Sequence, residues 1–172
     1  MNLPRLSDSH ASTPPRLLVA WHSRTGASEA MADAAVAGAG ANGTLMPADK
    51  VQPEDMLACA GYLFVCPENL AFMSGIMKEM FDRCYYPLLG RIEGRGFATA
   101  IAAGSDGTGA QRQIDRIAKG WRLRRVAEPL IINCHAQTPA EILAPKVVKD
   151  KSLKQCHQLG EALAEGLRLG VF

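Results

Sequence analysis

Residues 17–28 read Leu-Leu-Val-Ala-Trp-His-Ser-Arg-Thr-Gly-Ala-Ser, an apolar run that passes directly into a turn rich in hydroxyl groups. The apolar part, 17–21, has the composition of a strand that is covered on both faces. An alanine-rich helix is predicted to follow over 28–37. A strand, a tight turn and a helix N-terminus favour an anion, because backbone N–H groups and the helix dipole both attract negative charge. The stretch therefore predicts a βα unit that holds a phosphate group.

The same alternation of apolar runs and helical segments continues along the chain. Strands are predicted at 17–21, 44–46, 62–66, 97–103 and 130–133, and helices at 28–37, 54–60, 75–86, 110–121 and 152–169. Regular alternation predicts a parallel sheet with right-handed crossovers and helices on both faces. We therefore expect one doubly wound α/β domain over residues 16–172, after a tail over residues 1–15 whose composition predicts disorder.

The composition narrows the classes of partner. The chain has 172 residues, 48% of them hydrophobic and 21% charged, with a net charge of +2. The charges are interspersed, which predicts no nucleic-acid partner. No apolar stretch reaches the about 18 residues of a membrane span, so no membrane partner is expected. Five cysteines without a Cys-x-x-Cys motif, in a chain without a signal-peptide pattern, predict a cytoplasmic protein with no metal site.

Three loops follow the first, third and fourth predicted strands, and parallel α/β sheets bind ligands at these strand ends. The first loop (22–28) has three hydroxyl side chains and a glycine, whereas a simple N-cap, the alternative, needs one hydroxyl. The second loop (67–75) combines polar groups suited to a planar heterocycle with apolar residues that either cover its face or pack under the sheet edge. The third loop (104–110) has three glycines, which allow close approach to a ligand or form a flexible connection capped by Thr108.

Together, the three loops resemble those of the flavodoxin superfamily. Residues 23–28 resemble its Ser-x-Thr-Gly-Asn-Thr phosphate segment, and residues 67–83 resemble the Pro…Met-Ser-Gly…Lys…Asp segment of its flavin reductase and quinone reductase branches. The resemblance spans about residues 16–169. It implies a flavodoxin-like, five-stranded parallel sheet in the order 2-1-3-4-5, with FMN as cofactor and NAD(P)H as co-substrate. Electron-carrier flavodoxins are typically strongly acidic, unlike this chain.

The resemblance also assigns candidate cofactor-binding residues, with the FMN phosphate at the first loop and the flavin ring between the other two. They are Ser23, Arg24, Thr25, Gly26, Ala27 and Ser28 in the first loop, Pro67, Glu68, Asn69, Leu70, Phe72 and Met73 in the second, and Gly104, Ser105, Asp106, Gly107 and Gly109 in the third. Ala27 stands where the family often has Asn, which removes one side-chain contact. The third loop lacks the aromatic residue that carriers commonly stack on the flavin.

The function implied by the resemblance is that of an FMN-dependent oxidoreductase. It would pass hydride from NAD(P)H through the flavin to a quinone or another small acceptor, and it needs no catalytic side chain because the flavin supplies the chemistry. The alternative is a non-enzymatic electron-transfer or flavin-binding protein, and a third possibility is a domain that binds a different nucleotide. A homodimer or homotetramer is expected by analogy with the reductase branches.

Overall fold

The computed structural model of the protein describes residues 14–172, so the predicted tail lies outside them except for its last two residues. The described chain forms seven strands and six α-helices, with a short 3-10 turn at Gly40–Asn42. In chain order these elements are β1 (Leu17–Trp21), α1 (Ala27–Ala39), β2 (Gly43–Pro47), α2 (Pro53–Leu57), β3 (Gly61–Asn69), β4 (Phe72–Met73), α3 (Gly75–Leu88), β5 (Gly96–Ala103), α4 (Thr108–Gly120), β6 (Arg124–Arg125), β7 (Leu130–Asn133), α5 (Pro139–Leu143) and α6 (Asp150–Arg168).

The strands form one sheet in which β2, β1, β3 and β5 lie side by side and are parallel. Both β6 and β7 pair with β5, at its start and at its end, so they are two pieces of one edge strand. The predicted α/β fold class is confirmed. If β4 is left out and β6 and β7 are counted as one strand, the parallel strands follow the predicted order 2-1-3-4-5. The sheet has seven strands rather than five, because the edge strand is interrupted at 126–129 and β4 adds a short antiparallel pair with β3.

The helices cover both faces of the sheet. Alternate residues of a strand point to opposite faces, so Leu18 packs with α2, α3 and α4, whereas Val19 packs with α1 and α6. The helices α1 and α6 are in especially close contact. A Cβ atom added at Gly160 would collide with the carbonyl oxygen of Ala35. A Cβ atom at Gly38 would likewise collide with the carbonyl oxygen of His157. These glycines allow the two helices to approach each other closely.

The prediction of a continuous loop over 67–75 is wrong. The strand β3 continues to Asn69: Pro67 still pairs with β5, whereas Glu68 and Asn69 pair with Met73 and Phe72 of β4 across a hairpin. The two turn residues, Leu70 and Ala71, have φ values of 52° and 63°, a left-handed conformation that is rare for residues other than glycine. The hairpin tip is therefore a strained turn at the carboxyl end of β3. Within residues 14–172, no helix has the length and apolar character to cross a membrane.

Candidate functional site

A cleft of about 390 Å³ opens at the carboxyl ends of the parallel strands, within the size range of small-molecule sites. All three predicted loops contribute to its lining. The predicted site residues that line it are Ser23, Arg24, Thr25, Ala27, Ser28, Pro67, Glu68, Asn69, Leu70, Gly104 and Ser105. The lining residues outside the predicted set are Ala71, Ala102, Ala103, Cys134, Ala136, Ile142, Leu143 and Lys146. The fold thus brings most of the predicted set together around one space.

At the first loop, the N-terminus of α1 has backbone N–H groups that no side chain caps. Its N-cap is Gly26, which has a φ of 93°, a left-handed conformation suited to glycine. The Gly26 N–H donates to the Oγ of Ser23 at 3.0 Å, and the first helical bond runs from Ala30 to Gly26. The N–H groups of residues 27–29 have no acceptor within residues 14–172. They are the free donors that make a helix N-terminus an anion site.

The Ser28 hydroxyl lies in the same place and also lacks a partner. Its residue is only 1% exposed, and its Oγ forms no hydrogen bond with any residue in the described part of the chain. A buried hydroxyl without a partner is unfavourable by about 1–3 kcal/mol, so such groups usually bond to a ligand or water. Since Ser28 lines the cleft, a phosphate oxygen fits this position.

The Glu68 carboxylate links the second and third loops. It accepts hydrogen bonds from the N–H groups of Gly107 at 2.9 Å and Ala110 at 3.0 Å. These bonds cap the N-terminus of α4, whose own N-cap residue, Gly107, has no side chain to do so. A Cβ atom at Gly109 would collide with the carbonyl oxygen of Ala71, so the hairpin tip lies directly on the first turn of α4.

Six predicted site residues lie outside the lining, and they are Gly26, Phe72, Met73, Asp106, Gly107 and Gly109. The Met73 side chain is buried in the core, and its N–H donates to Gln113. Phe72 is 59% exposed beside the hairpin tip. Asp106 accepts a hydrogen bond from the Thr108 hydroxyl. Thr108 does not cap α4, because it is the first residue of this helix and Gly107 is the N-cap.

The segment 134–149, which we call the α5 segment, forms the remaining wall and is absent from the sequence predictions. It contains α5, whose first turn is closed by a capping box. The Thr138 Oγ accepts from the Glu141 N–H at 3.3 Å, and the Glu141 carboxylate accepts from the Thr138 N–H at 2.9 Å. Pro139 occupies the first helical turn. The pattern Thr-Pro-Ala-Glu is the sequence signal that predicts this helix.

Charge and burial differ around the cleft. Arg24 and Lys146 are the positively charged side chains in its lining, and Glu68 is the negatively charged one. The pKa of His22, just before the first loop, lies below its usual value because the ring is partly buried and because Arg24 is near. The pKa of the Cys134 thiol is raised by burial, an effect that the charge of Lys146 partly opposes. The cleft lining therefore contains one more positively charged residue than negatively charged ones.

Comparison with solved structures identifies the type of fold. No family model and no curated protein matches the sequence. A flavodoxin from the domain Archaea superposes with a TM-score of 0.71 at 16% identity, over 89% of this chain and 99% of that one. A flavodoxin, WrbA-like protein from Agrobacterium tumefaciens superposes with a TM-score of 0.73 at 15% identity, over 90% and 98%. The fold is flavodoxin-like.

The flavodoxin-like fold also occurs in a larger structure described as a flavone reductase. It superposes with a TM-score of 0.68 at 18% identity, over 90% of this chain and 63% of that one. At these identities the similarity is one of architecture. The cleft of this flavodoxin-like domain lies where such sheets bind ligands, beyond the carboxyl ends of the strands.

Proposed function

We propose that the cleft binds FMN, with its phosphate at the first loop and its ring between the second and third loops. The observation that carries the proposal is the buried, unpartnered hydroxyl of Ser28 beside the uncapped N-terminus of α1. Both features supply hydrogen-bond donors to one point, which suits the oxygens of a phosphate group. The similarity to flavodoxins and to a WrbA-like protein supports the same choice of ligand.

The residues present fit this group. The hydroxyls of Thr25 and Ser28 and the free N–H groups of α1 would hold the phosphate, with Arg24 beside them. The backbone around Asn69 and around Gly104 would enclose the ring from two sides. The bonds from Glu68 to α4 hold these two sides at a fixed separation. When bound, FMN supplies the capacity to accept and donate hydride.

We propose further that the protein is an oxidoreductase that takes hydride from NAD(P)H and reduces a quinone or another small acceptor. The resemblance of residues 67–83 to the reductase branches supports this reaction. The exposed apolar side chains of Leu70 and Phe72 beside the cleft also suit an aromatic substrate. A flavodoxin-type electron carrier is the alternative, and the similarity to flavodoxins is compatible with it.

FMN binding is tested by titrating the purified protein with FMN and following flavin absorbance near 450 nm and fluorescence. We expect saturable binding of one FMN per chain. Thr25→Glu places negative charge in the anion site and should weaken FMN binding by more than about 100-fold. Ala41→Glu adds the same charge in an exposed turn at the opposite end of the sheet and should leave affinity unchanged. A wild-type protein that takes up no FMN contradicts the proposal.

The reaction is tested by mixing the FMN-bound protein anaerobically with NADH or NADPH. An oxidoreductase should lose its 450 nm absorbance with at least one of them, and the absorbance should return when a quinone is added. An FMN-bound protein that neither nicotinamide bleaches would be a carrier rather than this enzyme.

We also propose that the protein forms a homodimer or homotetramer. Exposed apolar side chains surround the mouth of the cleft and the start of α3, namely Leu70, Phe72, Ile76, Ile142 and Leu143. Covering these side chains in an assembly is favourable, since soluble monomers rarely expose such groups together. Light scattering coupled to size-exclusion chromatography measures the mass directly, and a monomer at micromolar concentration would exclude this assembly.

A further inference from the structure

The α5 segment lies against the first loop through the backbone of a cationic residue, Lys146. The Lys146 N–H donates to the carbonyl oxygen of Thr25 at 2.7 Å. The Lys146 carbonyl oxygen lies 3.7 Å from the position that a Cβ atom would take at Gly26. The backbone of Lys146 is therefore in direct contact with the two residues that precede α1, although about 120 residues separate them in the sequence.

The ammonium group of Lys146 is held at the cleft wall. It donates to the carbonyl oxygens of Ile142 at 3.1 Å and Ala144 at 2.6 Å, and also to that of Glu141. Carbonyls at a helix C-terminus attract a cation, so these bonds direct the side chain along α5 instead of into solvent. Lys146 is partly buried and is one of the residues that line the cleft.

The formal side-chain charges of the first loop and of the first turn of α1 sum to zero. The one cationic side chain of the loop, Arg24, is exposed, and Glu29 places a negative charge in the first turn of α1. Ala27 also lacks the side-chain contact that Asn often supplies at this position in the phosphate segment of the flavodoxin superfamily, which residues 23–28 resemble. A phosphate monoester carries up to two negative charges near neutral pH. A second cation beside the loop offsets the charge of Glu29.

We propose that Lys146 is this second cation, and that it gives the cleft its preference for FMN over unphosphorylated flavin. This inference rests on the proposed function. Lys146 acts through its fixed charge on the phosphate end of the ligand and leaves the ring untouched. It is thus a specificity-determining residue that comes from the α5 segment rather than from the first loop.

The test compares FMN with riboflavin, which has the same ring and lacks the phosphate. Dissociation constants are measured by flavin fluorescence for the wild type, Lys146→Gln, Lys146→Arg and Lys149→Gln. Lys149 lies three residues away, is exposed and does not line the cleft, so its variant is a matched charge control. Thermal unfolding of each variant confirms that it is folded.

We expect Lys146→Gln to weaken FMN binding about tenfold and to leave riboflavin binding unchanged. Lys146→Arg should retain the FMN affinity, and Lys149→Gln should change neither ligand. The salt dependence of FMN binding should also decrease in Lys146→Gln, because one screened charge pair is lost.

Three outcomes overturn the inference. Equal losses for FMN and riboflavin in Lys146→Gln would mean that the residue only supports the wall of the cleft. An unchanged FMN affinity in Lys146→Gln, with a wild type that binds FMN, would refute the role of the charge and leave the proposed function intact. A wild type that binds neither flavin would refute the proposed function and this inference together.

Discussion

Glu68 makes two hydrogen bonds that connect the loops on either side of the cleft. Its carboxylate oxygens accept from Gly107 and from Ala110, which lie at the start of α4. Each bond to a charged acceptor contributes about 1.5–3 kcal/mol. Together with the contact between Ala71 and Gly109, these bonds fix the spacing of the second and third loops, and hence the width available to a planar ring.

Glu68→Gln should weaken the binding of FMN and riboflavin to a similar extent, by about tenfold. The amide oxygen can accept one of the two N–H groups, but the amide NH2 opposes the other. Fluorescence titration with both flavins measures the effect, and Glu128→Gln, at an exposed carboxylate far along the chain, serves as the control. A loss confined to FMN would place the action of Glu68 at the phosphate instead of the ring.

The five cysteines should differ sharply in reactivity. Cys59, Cys66, Cys84 and Cys156 are buried, and burial raises the pKa of Cys66 to about 12 and those of Cys84 and Cys156 to about 11. Cys134 is partly exposed and lines the cleft. Since the thiolate is the reactive form, the four buried thiols should be inert to a disulfide reagent at pH 8, whereas Cys134 should react.

We therefore expect the native protein to react with DTNB at one thiol and the denatured protein at all five. The native reaction should accelerate as the pH rises, because burial holds the pKa of Cys134 above its usual 9.0. Bound FMN should slow it, and Cys134→Ser should abolish it. Labelling of two or more thiols in the folded wild type would disagree with the burial of the other four.

Among the secondary-structure elements, the contact between α1 and α6 depends on the absence of side chains. Gly160→Ala should lower the free energy of unfolding by about 1–3 kcal/mol, because the new methyl group meets the Ala35 carbonyl and the helices must separate. Urea unfolding measures the change. Gly75→Ala is the control, since a Cβ atom there has no neighbour within 4 Å among residues 14–172. Equal stability of the two variants would indicate that α6 shifts without penalty.

The helix α5 should be sensitive to acid. Hydrogen bonds from the Thr138 and Gln137 N–H groups hold the pKa of Glu141 below its usual 4.5. A carboxylate whose pKa is depressed in the folded state stabilises it above the unfolded pKa, and this contribution is lost as the pH falls through the folded value. The α5 segment should therefore loosen below about pH 4, while the sheet remains folded.

NMR chemical shifts of residues 138–144, followed from pH 6 to pH 3, report this change. In Glu141→Gln the amide does not titrate, so the shifts of α5 should be almost independent of pH over this range. A wild type and a variant with identical pH profiles would assign the acid sensitivity to another group.

For the molecule as a whole, the sequence predicts the parallel sheet because strands that are covered on both faces must consist of apolar residues. Leu17, Leu18 and Val19 are fully buried in the sheet, and only an apolar run satisfies both faces at once. The predicted helix ends are less accurate. The second helix is predicted over 54–60, but α2 ends at Leu57, where the chain turns towards β3 and the Ala60 N–H donates to the carbonyl oxygen of Arg16. Tertiary contacts decide such boundaries.

The parts of the site that the sequence does not predict are those fixed by contacts distant along the chain. The bond from Lys146 to Thr25 and the bonds from Glu68 to α4 have no local signal, because their partners lie about 120 and about 40 residues apart in the sequence. The strand β4 has two residues and is stabilised by pairing with β3 rather than by propensity. The first loop is predictable because its strand, turn and helix are contiguous.

The interrupted edge strand formed by β6 and β7 affects how the protein behaves at high concentration. An exposed sheet edge offers unpaired backbone groups to which another chain can add, and proteins limit this risk with short or broken edges. Here one edge consists of the two residues of β6 and the four of β7, separated by a stretch that contains Pro129, and the other edge, β2, ends at Pro47. Neither edge offers a long template for strand addition, so copies of this chain should associate through side chains and resist amyloid-like aggregation.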